Sequence, residues 1–131
     1  MITAVDTNIL LDIFLPDPVH GENSLKLLEK SYEKGALIIC GEVYAELSPQ
    51  FDDQTLLDTS LTKLGIEIVP INKETCYLAG RTWLAYRKKN KSRERIITDF
   101  LIGAFAQTQA DRFLTRDRGF YRSYFNAINL P

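Results

Sequence analysis

Four short apolar runs, "ITAV", "ALIIC", "IEIVPI" and "RFLT", are separated along the chain by stretches whose apolar residues recur at helical spacing. Strand-length runs alternating with helices need crossover connections, which predicts the α/β class: a three-layer α/β/α arrangement with a mostly parallel central sheet. "ALIIC" is apolar throughout, as a strand buried on both faces must be. Ile9, Leu10, Ile13 and Phe14 mark a first helix, and Leu25, Leu27 and Leu28 a second that ends near Lys34 with Gly35 as its C-cap. "GEVYAEL" reads as a third, and the loop "SPQFDDQ" passes into a fourth. A long helix is expected from Lys73 through Trp83 to about Lys89, and another over "DFLIGAFAQTQA". The tail reads as the strand "RFLT", a turn over "RDRGFYRSYF" and a last strand "AINL". No repeat or linker divides residues 1–131, so a single domain is expected.

At 131 residues and 45% hydrophobic the chain can bury a real core. The apolar runs are too short to span a membrane and the N-terminus lacks a signal-peptide pattern, so a cytoplasmic protein is expected. Cys40 and Cys76 are isolated and read as buried thiols. With a single histidine, His20, in a loop, they make no tetrahedral zinc set. A net charge of −1 argues against a protein that coats nucleic acid nonspecifically. The distribution is uneven, however: residues 1–65 carry −7 and residues 66–131 carry +6. Such asymmetry points to a polyanion-facing side or an acid-rich site.

Three acids fall at junctions. Asp6 ends the first strand, Asp117 follows "RFLT", and Asp99 opens an almost wholly apolar helix. Each alone has an ordinary explanation as a helix cap or turn residue. Glu46 lies inside its helix, where no cap explains it; Glu42, four residues earlier, sits where the helix dipole explains it. Carboxyl ends of parallel strands are where open α/β sheets place ligands. Four carboxylates gathered there repel one another, at about 4 kcal/mol per pair 4 Å apart in an effective dielectric of 20. A compensating charge is therefore required. Oxygen donors without His or Cys suit Mg²⁺ or Mn²⁺, which can activate water and stabilise a phosphodiester during in-line displacement.

The segments "AVDTNILLDIF", "VYAEL", "TDFLIGAFA" and "FLTRDRGFY" resemble, in order and over essentially the whole chain, the four signature segments of PIN domain nucleases. The likeness is strongest to the VapC-type toxin ribonucleases of toxin–antitoxin pairs. It implies a PIN-like fold and an Mg²⁺- or Mn²⁺-dependent endoribonuclease, commonly a homodimer and inhibited by a cognate antitoxin. Carried over by position, it implies Asp6, Glu46, Asp99 and Asp117 as catalytic residues. Asp6, Asp99 and Asp117 are then metal ligands, with Asn8 and Thr115 holding the carboxylates by hydrogen bonds. Gly119 stands where many relatives carry a further acid. Asp12, inside the first helix, is expected at the surface or just behind the site.

Arg81, Arg87, Lys88, Lys89, Lys91, Arg93 and Arg95 precede Asp99, and Arg112, Arg116, Arg118 and Arg122 bracket Asp117. Of these, Arg87, Lys88, Arg95, Arg116 and Arg118 are the candidates for RNA phosphate contacts. Tyr86, Phe120, Tyr121 and Tyr124 are candidates for base stacking, against a competing place in the core for aromatic residues at this spacing. Hydrolysis by a metal-activated water does not use the 2′-hydroxyl, so RNA as substrate rests on the resemblance. Two other readings remain open. One is a catalytically silent module whose acids dock an Arg-rich partner segment. The other is a receiver-like phosphoacceptor domain, although that would want paired acids after the first strand and a Lys near the last.

Overall fold

The computed structural model describes residues 1–90 and 94–131. Lys91 and Arg93 of the basic run lie outside the described residues. The elements run β1 (Ile2–Val5), α1 (Thr7–Phe14), α2 (Gly21–Lys34), β2 (Ala36–Ile39), α3 (Gly41–Leu47), a 3-10 turn (Ser48–Gln50) and α4 (Gln54–Lys63). They continue with β3 (Ile66–Ile68), α5 (Lys73–Lys89), α6 (Ile97–Gln109), β4 (Arg112–Leu114) and α7 (Arg118–Tyr124). The four strands form one sheet in the order β3-β2-β1-β4, with every pairing parallel.

This order fixes the site before any side chain is considered. From β1 the chain steps outward to β2 and β3, then returns across the sheet to β4 on the other side of β1. With right-handed crossovers, the return through α5 and α6 covers the opposite face from the connections carrying α2 and α4, giving the expected three layers. The reversal makes the carboxyl ends of β1 and β4 the topological switch point, where such sheets bind ligands. Val5 pairs with Leu114, so Asp6 and Thr115 leave the sheet side by side.

Phe100, Phe105, Phe113, Phe125, Ile9, Leu10, Leu37, Ile39 and Leu47 form the fully buried centre. The segment expected as a turn is α7 instead. Phe120, Tyr121 and Tyr124 recur at helical spacing there and pack edge-on to Phe100 or Phe113, with Phe113–Tyr121 ring centroids 4.9 Å apart, and Phe125 at the helix end lies tilted against Phe100. Tyr86 and Tyr121 are buried in this cluster, so they are core residues and not base-stacking platforms. "AINL" is not a strand. It runs beside β4, where the Phe113 N–H donates to the Asn129 carbonyl (2.9 Å), but no ladder forms. Cys40 is buried as expected, and burial pushes its thiol up to about 11; Cys76 is exposed, contrary to expectation.

Two glycines are required by geometry. Gly35 caps α2 at φ +149°, and a Cβ there would lie 2.0 Å from the Met1 carbonyl oxygen. Gly103, inside α6, lies against the Phe125 ring, and a Cβ would come within 2.4 Å of it. Gly103→Ala should therefore destabilise the fold despite the better helix former. Overpacking of about 1–3 kcal/mol outweighs up to about 1 kcal/mol of helix propensity. Urea unfolding should show a lower midpoint; an unchanged or higher one would mean that the ring moves aside freely.

Candidate active site at the β1–β4 switch point

Asp6 stands where β1 becomes α1, with its side chain 6% exposed. Its Oδ1 accepts the Thr7 N–H (2.8 Å), which makes it the N-cap of α1. Its Oδ2 accepts the Thr115 hydroxyl (2.7 Å) and the Asn8 amide (3.2 Å). All these donors are neutral. Burial pushes the Asp6 carboxyl up to about 6, against the pull of its hydrogen bonds, and the nearby Glu46 and Asp117 carboxylates raise it further.

Thr115 and Asn8 act as a junction between the first and last segments of the fold. The Thr115 oxygen also accepts the Asp117 N–H (3.0 Å), and the Asn8 Oδ1 accepts the Arg116 N–H (3.1 Å). The loop carrying Asp117 is thereby tied to the residues that hold Asp6. Thr7 extends the network across to α3, its hydroxyl donating to Glu46 Oε1 (2.5 Å). Glu46, and not Glu42, is thus the α3 acid joined to Asp6. Thr7 was missed in the sequence, although a hydroxyl directly after the junction acid was the available signal.

Asp99 lies in the first turn of α6, where its Oδ2 accepts the Ile96 N–H (3.1 Å). Asp117 precedes α7 but makes no capping bond with its side chain; its Oδ2 accepts Arg95 Nη1 (2.5 Å). The buried Tyr121 hydroxyl reports the gathering of charge. Burial first, then Asp6, Asp99 and Asp117, hold it well above the ordinary tyrosine range. Asp6, Glu46, Asp99 and Asp117 thus share one neighbourhood, yet among the described residues no three acids stand close enough to grip one ion as they are placed. A surface groove lined by Leu25, Leu28, Tyr32, Leu64 and Gly65 opens at the amino ends of β2 and β3, away from these acids.

The model of the PIN domain family matches residues 3–126. The chain belongs to the PIN domain family. Solved structures share its fold over nearly its whole length. VapBC2 from Rickettsia felis, bound to a DNA fragment from its promoter, is 21% identical with a TM-score of 0.72, covering 100% of this chain and 98% of that one. VapBC-1 from nontypeable Haemophilus influenzae is 18% identical with a TM-score of 0.72, covering 100% and 97%. VapC20 from Mycobacterium tuberculosis, described as a Sarcin-Ricin loop cleaving toxin, is 12% identical with a TM-score of 0.60, covering 97% and 98%. No curated protein matches the chain.

The basic residues of this PIN domain divide by partner. Arg87 lies on α5 with its guanidinium 4.8 Å from the Trp83 ring centroid, and Lys88 is exposed beside it. Arg118 donates to the Leu130 and Pro131 carbonyls and so pins the C-terminal segment. Arg116 reaches Asp12 with two bonds, Nε to Oδ2 (2.8 Å) and Nη2 to Oδ1 (2.9 Å), while Ser24 donates to the same carboxylate (2.7 Å). Asp12 is therefore buried and paired, not a surface residue. Arg112 is buried against the Ser31 hydroxyl (2.7 Å) and Thr3 at the amino end of β4, the opposite strand end from Thr115.

The raised Asp6 carboxyl sets a pH dependence. An acid whose folded value lies above its unfolded 3.8 binds its proton more tightly in the native state, so stability falls as pH rises from about 4 to about 6. The total is about 3 kcal/mol. In chelator, the unfolding free energy of wild type minus that of Asp6→Asn should drop between pH 4.5 and pH 7.5. A difference that stays flat or rises would show that the Asp6 charge is not penalised.

Proposed function

We propose that the chain is a metal-dependent endoribonuclease, acting as the toxin of a toxin–antitoxin pair. The carrying observation is the buried Asp6 carboxylate at the switch point, with Glu46 and Asp117 near enough to raise its pKa and only neutral groups bonded to it. Among the described residues no cationic side chain is hydrogen-bonded to Asp6. The site's oxygen-only donors are of the kind hard divalent cations prefer, so Mg²⁺ or Mn²⁺ fits the chemistry of the set.

Asp6, Asp99 and Asp117 are the residues that would hold the ion. When bound, it supplies Lewis acidity, making water a competent nucleophile near neutral pH and offsetting the charge that develops on the phosphodiester. The chain's own contribution is pre-organisation. Thr115 and Asn8 fix the Asp6 carboxylate from β4 and α1, so its oxygens need no reordering when substrate arrives. Glu46, held through Thr7 and exposed to solvent, is placed to accept a proton from water entering the cluster. Arg87 and Lys88 on α5, with Arg95, offer cations to flanking RNA phosphates. Arg116 and Arg118 contribute to the positive field while remaining tied to Asp12 and the C-terminal segment.

Membership of the PIN family supports a nuclease. The VapBC assemblies support a cognate antitoxin as partner, and the toxin that cleaves the Sarcin-Ricin loop supports RNA as substrate. A homodimer is carried over from the family resemblance alone; among the described residues no helix is long and apolar enough to cross a membrane. Asp99→Asn should abolish Mg²⁺- or Mn²⁺-dependent RNA cleavage while leaving the circular dichroism spectrum and melting curve those of a folded protein. The loss should exceed the roughly 10- to 100-fold typical of removing an outer partner of a metal ligand. Wild-type cleavage by the pure variant would contradict this assignment.

A further inference from the structure

Among the described residues three ion pairs form, and one of them engages an acid of the candidate site: Arg95 with Asp117. We propose that Arg95 is a built-in counterion that competes with the divalent ion for Asp117, and so sets the metal concentration at which the site loads. This rests on the metal-dependent reading above.

Three features make the contact a seat and not a chance surface pair. The Asp117 side chain occupies an N-cap position without capping, so its carboxylate is given over to the guanidinium. The guanidinium lies with its central carbon 4.1 Å from the Phe120 ring centroid, so α7 supplies both the carboxylate's neighbourhood and an aromatic face. The backbone of Arg95 is itself fixed, its N–H donating to the hydroxyl of the buried Tyr86 (3.1 Å). Arg95 also lies four residues before Asp99, just ahead of α6.

The pair also differs from the other Arg–Asp pair in a way that matters for exchange. Asp12 is buried beneath Arg116, whereas the Arg95 and Asp117 side chains are both about one third exposed (31% and 34%). Water and ions can reach them, so the guanidinium can leave without stranding a buried charge. A cation entering the cluster takes up the same carboxylate that Arg95 neutralises. Arg95 bonding and ion binding at Asp117 are thus alternatives, and the metal-free site is already partly neutralised.

The test is Mn²⁺ titration of the full chain by isothermal calorimetry, comparing wild type with Arg95→Gln. A side-chain amide keeps much of the reach and packing but removes the charge. The variant should bind Mn²⁺ about fivefold more tightly, the factor that corresponds to about 1 kcal/mol of pairing energy. Arg95→Lys, which keeps the charge without the planar stacking, should fall between the two and serves if the amide variant folds poorly. In chelator, melting of Arg95→Gln, Asp117→Asn and the double variant should show non-additive shifts, since the second substitution removes a pair already broken. Mn²⁺ binding by wild type with unchanged or weaker binding by Arg95→Gln overturns the competition and leaves the metal-dependent nuclease intact. Additive melting shifts overturn it as well. If neither wild type nor variants bind Mn²⁺, the metal-dependent reading itself falls, and the competition with it.

Discussion

A carboxylate taken out of water at the end of β1 is the constraint on which the rest of the site depends. Burial works against ionised Asp6, and the neighbouring acids add to the penalty. The fold answers with hydrogen bonds whose donors come from three places: the first turn of α1, Asn8, and Thr115 beyond β4. The parallel pairing of Val5 with Leu114 brings the last of these within reach. Because the same Thr115 and Asn8 receive the Asp117 and Arg116 backbone N–H groups, fixing Asp6 also fixes the loop that presents Asp117. Neutral donors lower the cost of the charge without cancelling it, and that residual charge is what the proposed cation would offset.

Three of the arginines, Arg116, Arg112 and Arg95, are used in physically distinct ways. With Asp12 and Ser24, Arg116 makes a doubly bonded pair over a buried carboxylate that ties the β4–α7 loop to α1 and α2. Removing Arg116 would leave the buried Asp12 carboxylate without its counterion, so this pair belongs to the fold. Arg112 is enclosed among hydroxyls near the amino ends of the strands. Among the described residues, Arg95 alone holds an acid of the candidate site, from a part-exposed position. The functional character of the basic half thus comes from which guanidiniums are already committed, and net charge does not reveal it.

The layered fold and the acids' places were legible in the sequence because both rest on local pattern. Short apolar runs marked the strands, "DTN" marked a strand-to-helix junction, and Gly35 marked the end of α2. The helix α7 was hidden by Gly119 and four charged residues around it, which read as a turn. Its aromatic spacing carried the contrary signal, and packing on Phe100 and Phe113 decides the outcome. Asp12 and Arg116 are 104 residues apart, and Arg95 and Asp117 are 22 apart. Nothing near any of these residues says which cation meets which acid, because that is settled by strand order and loop placement. "AINL" had the composition of an edge strand, but its one observed bond to β4 is not a ladder.

The most direct measurement is thermal melting of wild type and Asp6→Asn near neutral pH, first in chelator and then with millimolar Mn²⁺. An ion that binds only the native state, at 100 times its dissociation constant, adds about 2.7 kcal/mol. The account predicts a clear upward shift for wild type and little or none for the variant. Equal shifts in both proteins, or none in either, would contradict a cation site built on the buried carboxylate at the end of β1.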